Sequence, residues 1–317
     1  MKLGHAVLAT AFAAFIAHAA LAQQPAAPAP MIKRGATMKI SEHAYVILDD
    51  NVGFVPNVGI IVGERATLIV DTGMWPDNGA IVLEEARKLS DNTEFYLTAT
   101  HFHPEHDLGA TAFPANAKMI RWRGQQAETD ETGADTIARF SSFSPAVGAL
   151  LAKASYRKPD TVFDDEITLD LGGVHVRVTG VGPAHTRGDT VMYVDEDKVL
   201  LTGDVVMPVF PAASAQSANI AQWLASIAKF EAFAPRVVVP AHGKLIDAGT
   251  LARYREYFTA VQAETRAAKR QGQSVEAAQA AIAPKLAQQF SELAPQGGGP
   301  ATGRINAAIQ AAYREAP

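Results

Sequence analysis

From residue 44 onward, apolar positions come in short blocks separated by polar turns, and the blocks predict strands with few helices between them. Tyr45-Val46-Ile47-Leu48, Val58-Gly59-Ile60-Ile61-Val62 and residues 67–70 are β-branched runs too short for helices, with a hairpin turn at Gly63-Glu64-Arg65. Residues 78–89 change to helical spacing, with Ile81, Val82, Glu85 and Lys88 on an amphipathic pattern, and residues 94–100 return to a buried strand. The same order recurs further on. Residues 161–170, 174–179, 190–194 and 198–201 read as strands, 219–230 as a capped helix with Ile220, Trp223, Leu224 and Ile227 on one face, and 237–239 as a last strand. Residues 121–158 interrupt this alternation with helical stretches at 128–140 and 145–154, which predicts a cap inserted over the strands. From residue 250 the chain is Ala-rich helix, with breaks expected at Gly272, Pro284 and Pro295, a Gly297-Gly298-Gly299 loop and a final helix. No chemistry is legible in that extension.

The strand ends carry the chemistry. In Thr100-His101-Phe102-His103-Pro104-Glu105-His106-Asp107, three imidazoles and a carboxylate fall within six residues. Side chains alternate in extended backbone, so His101 and His103 point the same way and Phe102 turns into the core. Pro104 is expected to keep the following residues out of a helix, leaving Glu105 and His106 past a bend and facing a neighbouring metal. The helical zinc patterns do not fit, because position 102 is Phe and position 104 is Pro. Asp71, His185, Asp204 and His242 each follow another apolar run. Five strand ends that present His, Asp or Glu predict a metal site on the rim of a sheet sandwich. His43 and His175 lie in strand-like runs away from any motif and are expected to be structural.

Composition narrows the picture. With 317 residues, 48% hydrophobic and 19% charged, the chain suffices for one large or two small globular domains. A net charge of −5, with no run of Lys or Arg longer than a pair, excludes a nucleic-acid footprint. The absence of cysteine removes thiolate from the possible ligands and suits export without disulfides. Lys2, an apolar stretch and Ala20-Leu21-Ala22 predict a signal peptide over 1–22, so that His5 and His18 are absent from a periplasmic or secreted protein with no membrane anchor after processing. Residues 23–37 read as a linker, 38–249 as the main domain and 250–317 as a helical extension.

Five ordered motifs resemble the metallo-β-lactamase superfamily: Asp71-Thr72-Gly73, His101-x-His103-x-Glu105-His106, Gly182-Pro183-Ala184-His185-Thr186-x-Gly188-Asp189, Thr202-Gly203-Asp204 and Pro240-Ala241-His242-Gly243. The resemblance implies an α/β fold, the αββα sandwich, here with a helical cap and a helical C-terminal extension. It implies that His101, His103 and His185 hold a first metal, that Glu105, His106 and His242 hold a second, and that Asp204 bridges them. Asp71 would orient a ligand histidine. Glu105 departs from the family's usual Asp, and Asp204 stands where antibiotic-hydrolysing members commonly have Cys or Ser; a bridging Asp is more like glyoxalase II and the lactonases. Two Zn2+ per chain, or other divalent metals, would lower the pKa of a shared water. Asp204, Glu105 and Asp71 would then serve hydrolysis of a small ester, thioester, lactone or amide. Alternatives from the same resemblance are a β-lactamase, a mononuclear iron persulfide-type dioxygenase and a non-catalytic metal-binding module. Phe54, Met74, Trp75, Phe210 and the cap start Arg121-Trp122-Arg123 are candidate pocket walls.

Overall fold

The computed structural model describes residues 29–213, 216–294 and 301–317; the expected signal peptide and the triple-glycine loop lie outside the described residues. The first sheet runs in sequence order: β1 (Thr37–Lys39), β2 (Ala44–Ile47), β3 (Val58–Val62), β4 (Ala66–Val70), β5 (Glu94–Thr98), β6 (Lys118–Trp122) and β7 (Thr161–Phe163). It is antiparallel up to β4 and parallel from there to β7. The second sheet comprises β8 (Glu166–Asp170), β9 (His175–Gly180), β10 (Thr190–Val194), β11 (Val199–Gly203) and β12 (Val237–Pro240), in the order β12-β11-β10-β9-β8. Only β11 and β12 pair parallel there.

Period-two alternation sorts each strand between two cores. Ile61, Leu68 and Val70 face the second sheet and meet Val176, Val178, Met192 and Leu201, while Ile60 and Ile69 face outward onto Ile81, Val82 and Ala86 of α1 (Pro76–Leu89). A one-residue slip would exchange the two sets, so the register is fixed by burial on both faces. The cap consists of α3 (Arg123–Ser141) and α4 (Pro145–Leu151), after the single-turn α2 (Pro104–Asp107). Phe140, Val147 and Leu151 pin it to Met74, Trp75 and Leu108. Beyond the second sheet, α5 (Ile220–Ala232), α6 (Ala248–Arg270), α7 (Val275–Gln289) and α8 (Ala301–Glu315) share one large core, in which Trp223, Tyr257 and Phe258 are fully buried. Burial of the Phe258 ring alone contributes about 1.5–3 kcal/mol. The layers are therefore helix, sheet, sheet, helix. No described helix is long and apolar enough to cross a membrane.

Four details differ from the sequence reading. Residues 161–170 form two strands in different sheets, because the adjacent carboxylates Asp164 and Asp165 take the chain across between them. Residue 121 belongs to β6 rather than to the cap, which begins at Arg123. Pro284 lies inside α7, where burial of Ile282, Ala283 and Leu286 against the other helices outweighs its missing N–H. The later part of the expected linker is docked. Ile32 is buried, its N–H donates to Asn78 Oδ1 at 2.9 Å, and Gly35 N–H donates to Glu85 Oε1 at 2.9 Å.

Candidate metal centre

At the end of β4, Asp71 takes a left-handed backbone (φ 64°), a conformation retained where surroundings over-determine it. Its carboxylate does so: it accepts from Thr100 N at 2.7 Å and Thr100 Oγ1 at 3.0 Å and lies 2.9 Å from His106 Nδ1. The turn after His103 corrects the expectation for Pro104. Proline occupies the first position of α2, where its missing N–H is an unpaired position anyway, so it starts a helical turn instead of preventing one. That turn carries Glu105 and His106 back toward His101. Across the rim, Gly203 (φ 58°) lets the end of β11 approach the turn after β5 closely: a Cβ there would sit 2.6 Å from Thr100 Cβ. Asp204 follows, beside the histidines.

The seven predicted ligands converge. His101 Nε2 lies 2.9 Å from His103 Nδ1, His185 Nε2 lies 3.4 Å from the same atom, and Asp204 stands 3.5 Å from His185 Nε2 and 3.8 Å from His242 Nε2. Glu105 Oε1 is 3.9 Å from His106 Nε2. Donor atoms of His101, His103 and His185 lie within 4.8 Å of one another, as do those of His101, His106 and Asp204 and those of Glu105, His106 and His242. The first and third of these groups contain the same residues as the two sites expected from sequence, Glu105 included, and the second joins His101, His106 and Asp204 between them.

Three of the outward ring nitrogens, those of His106, His185 and His242, are tied down, which aims the opposite nitrogens into the cluster. His185 Nδ1 meets Ala212 O at 2.9 Å and His242 Nδ1 meets Val55 O at 3.0 Å. Burial holds His101 and His103 well below the ordinary imidazole range, and neighbouring rings push the same way. Burial also disfavours charge on His106, but the Asp71 carboxylate, joined by those of Glu105 and Asp204, overrides it and lifts the group to about 9. Asp204 goes down to about 2 despite burial, because His242 and His185 surround it, whereas burial raises Glu105. Among the described residues, Glu105 Oε2, His106 Nε2 and Asp204 Oδ1 are buried without any hydrogen-bond partner. Three orphaned donors in one cluster of imidazoles and carboxylates fit divalent cations, which would satisfy them together.

Several supports escaped the sequence reading. Asn57 Nδ2 donates to Pro240 O and Gly243 O, both at 2.8 Å, and Asp49 accepts from Gly243 N at 2.8 Å, so two residues of the β2–β3 loop hold the His242 turn. No spacing signal marks either. Glu128 of α3 accepts from Gly188 N at 2.7 Å, and Asp189 accepts from Thr186 N at 2.9 Å, which fixes the loop of His185. Arg121 is no pocket wall. It is fully buried under α2 and grips Asp107, with Nη2 at 3.2 Å from Oδ1. Met74, Trp75 and Phe210 are core residues, Trp122 packs on Gly180, and Arg123 pairs with Asp164 at the surface. Phe54 does line the cleft. His43 and His175 stand apart, paired with Asp197 at 2.8 Å and Glu196 at 2.7 Å.

The cluster opens into a cleft of about 1530 Å³ walled by Phe54, by Arg139, Phe140 and Phe143 of the cap, and by Arg253, Leu293 and Arg304 of the C-terminal extension. The extension, silent in sequence, thus forms one side of the site.

The family model of the metallo-beta-lactamase superfamily matches residues 51–242, and the chain belongs to that superfamily. It is 26% identical over 216 residues to a linear primary-alkylsulfatase of Pseudomonas sp. (strain ATCC 19151), covering 58% of this chain and 41% of that protein. It is also 26% identical over 165 residues to an acyl-coenzyme A thioesterase of Homo sapiens, covering 47% of this chain and 58% of that protein. The chain thus spans roughly half the length of the curated relatives it matches. Among solved structures, a stereoselective inverting sec-alkylsulfatase from Pseudomonas sp. superposes with a TM-score of 0.71 at 16% identity, covering 87% of this chain and 50% of that one. A metallo-beta-lactamase from Pontibacter korlensis gives 0.57 at 19% identity, over 70% of this chain and 98% of that one. At these identities the structural likenesses speak for the fold.

Proposed function

We propose that the protein is an exported, metal-dependent hydrolase of a small-molecule ester, the scissile bond being a carboxylic ester, thioester or sulfate ester. The observation that carries this is the set of three buried, partnerless donor atoms within a seven-residue cluster that opens on a cleft. His101, His103 and His185 would hold one cation, Glu105, His106 and His242 a second, with Asp204 between; two Zn2+ per chain is the composition assigned. When bound, the pair supplies Lewis acidity and a water acidified toward neutrality. The protein's part is orientation and charge. Asp71 keeps a proton on His106 Nδ1, Ala212 O and Val55 O do the same for His185 and His242, and the carboxylates of Glu105 and Asp204 balance the cations. Arg139 and Lys244 stand exposed at the cleft with no carboxylate partner among the described residues, which favours a substrate or product with an anionic group. The names of the two curated relatives, an alkylsulfatase and a thioesterase, support the ester class.

The test is metal analysis of the purified protein followed by a panel of carboxylic ester, thioester, sulfate ester, lactone and β-lactam substrates. Two zinc ions with turnover of an ester supports the proposal. A single iron with oxygen consumption would make it a dioxygenase, turnover of β-lactams alone a β-lactamase, and metal without turnover of any substrate a non-catalytic metal-binding module. Export belongs to the same reading and rests on Ala20-Leu21-Ala22; mass spectrometry of the mature protein should find Gln23 first, and a retained Met1 would remove it.

A further inference from the structure

We infer that Phe54, Phe140 and Phe143 form a subsite for a flexible apolar chain of the substrate, with its reacting head at the His103 side of the cluster; this rests on the hydrolase reading above. The three rings come from two distant elements, the β2–β3 loop and the α3–α4 junction of the cap, and meet over the cleft. Phe54 stacks on Phe143 at 5.3 Å between centroids, meets Phe140 edge-on at 5.9 Å, and Phe140 lies 5.0 Å from Phe143. Phe140 is also 5.5 Å from the His103 ring, which connects the aromatic group directly to the ligand cluster.

Core packing does not account for the outer two rings. Of the three strongly exposed large apolar side chains among the described residues, two are Phe54 and Phe143, at 37% and 49% exposure. Phe54 moreover holds a left-handed backbone (φ 61°), which costs a bulky residue on the order of 1–3 kcal/mol, and Asp50 and Asn51 in the same loop are left-handed too. A strained loop that ends in a half-open aromatic ring beside a reactive cluster is poised for contact with something apolar. The apolar lining continues along the half-buried Val52, Pro208 and Val209 of the same cleft. Rings without a donor or acceptor recognise methylenes or aryl carbons by area alone, so the subsite measures chain length and leaves chain identity open. A protein partner is a poorer occupant, because three side chains fall far short of the ~1,600 Å² that a stable interface buries.

The experiment is equilibrium binding of straight-chain carboxylates of increasing length, below their micellar range, to the full metal-loaded chain by calorimetry. For the unaltered protein the affinity should rise about two- to fourfold per added methylene. In Phe54→Ala/Phe143→Ala the increment should fall nearly to nothing, and in Phe143→Leu it should persist, since leucine restores apolar area. An undiminished increment in the double variant would overturn the proposal. So would a flat series in the unaltered protein, whether the double variant then melts lower, which makes the rings a tie between cap and loop, or sediments as a smaller species, which makes them a contact between copies. A steep binding series without turnover of any ester would retain the subsite and remove the hydrolase; ester turnover with a flat series would do the reverse.

Discussion

At the metal rim, side chains reach the cluster from turns a few residues past a strand end; in the C-terminal extension, side chains reach the backbone of a loop and act on the cluster from one step away. The chain after Asp204 shows the second arrangement. Tyr254 OH accepts from Met207 N at 3.0 Å and donates to Val209 O at 2.5 Å, Arg304 Nη1 donates to Phe210 O at 2.8 Å, and Arg314 Nη2 reaches Gln216 O at 3.2 Å. Glu315 caps α5 through Ala221 N at 3.1 Å. Within that loop Ala212 offers the carbonyl that orients His185. The rim therefore decides which atoms can bind a cation, and the extension decides where one of the rings points. The difference separates two kinds of failure: loss of a donor removes metal, whereas loss of a grip should leave metal bound and slow the reaction.

The largest expected effect is at His185. Replacing it with alanine removes a donor, and turnover should fall beyond the ~10–100-fold that loss of an outer hydrogen-bond partner costs. His43→Ala and His175→Ala should remain close to the unaltered enzyme, since both rings pair with carboxylates away from the cleft. Three variants with equal rates would break the assignment of the rim.

Glu105→Gln comes next and sharpens it. The longer side chain does fold toward the second group of donors, with Oε1 at 3.9 Å from His106 Nε2 and Oε2 buried without a partner. Loss of its charge should weaken one cation strongly and leave the three-imidazole site of His101, His103 and His185 occupied, so metal content should drop toward one per chain. Two tightly held metals with low activity would instead make Glu105 an acid/base residue.

Tyr254→Phe tests the other region. It strands the Met207 N–H in a buried place, at about 1–3 kcal/mol in stability. Denaturant melting should record that loss, with metal content unchanged and turnover lowered by up to ~10-fold. If metal leaves together with stability, the extension and the rim are one unit and the comparison fails.

The same division explains what the sequence could tell. That the seven side chains of the cluster and Asp71 come together was legible because strand ends are local: an apolar run, then a His or Asp, needs no knowledge of the rest of the fold. Short apolar runs located most strands for the same reason. β6 was missed because Arg121 stands in an otherwise apolar run, and only the fold reveals that Asp107 neutralises it. Pro104 was misjudged because proline stops a helix in its interior yet begins one at its first position, and the two cases look alike without the backbone. Asp49, Asn57 and the walls from α6 and α8 act across 40 to nearly 200 residues, where no spacing rule reaches.

The smallest predicted effect compares two histidines that each pair with a carboxylate, one inside the rim and one outside. His106 lies 2.9 Å from Asp71 and is fully buried, while His175 lies 2.7 Å from Glu196 with about half its side chain exposed. The hydrogen bond to Glu196 raises His175 above its usual 6.5. A raised folded value means that the pair's contribution is present below 6.5 and is lost as pH rises through the folded value. On the other side, burial would raise Glu196, but the hydrogen bonds from the His175 ring and backbone N–H and from its own backbone N–H, with the charge interaction with His175, together outweigh it and lower the group below 4.5, so its contribution is present above 4.5 and fades as pH falls through the folded value. The pair is therefore worth most between those two limits. Denaturant midpoints of the unaltered protein and His175→Ala should differ slightly at about pH 5.5 and converge by about pH 9. Added salt of about 1 M should erase even the small difference, because exposed charges are screened at that ionic strength. A gap that stays the same at both pH values and in salt would show that His175 contributes through packing alone, and that charge pairing matters to this protein only where the rim has excluded water.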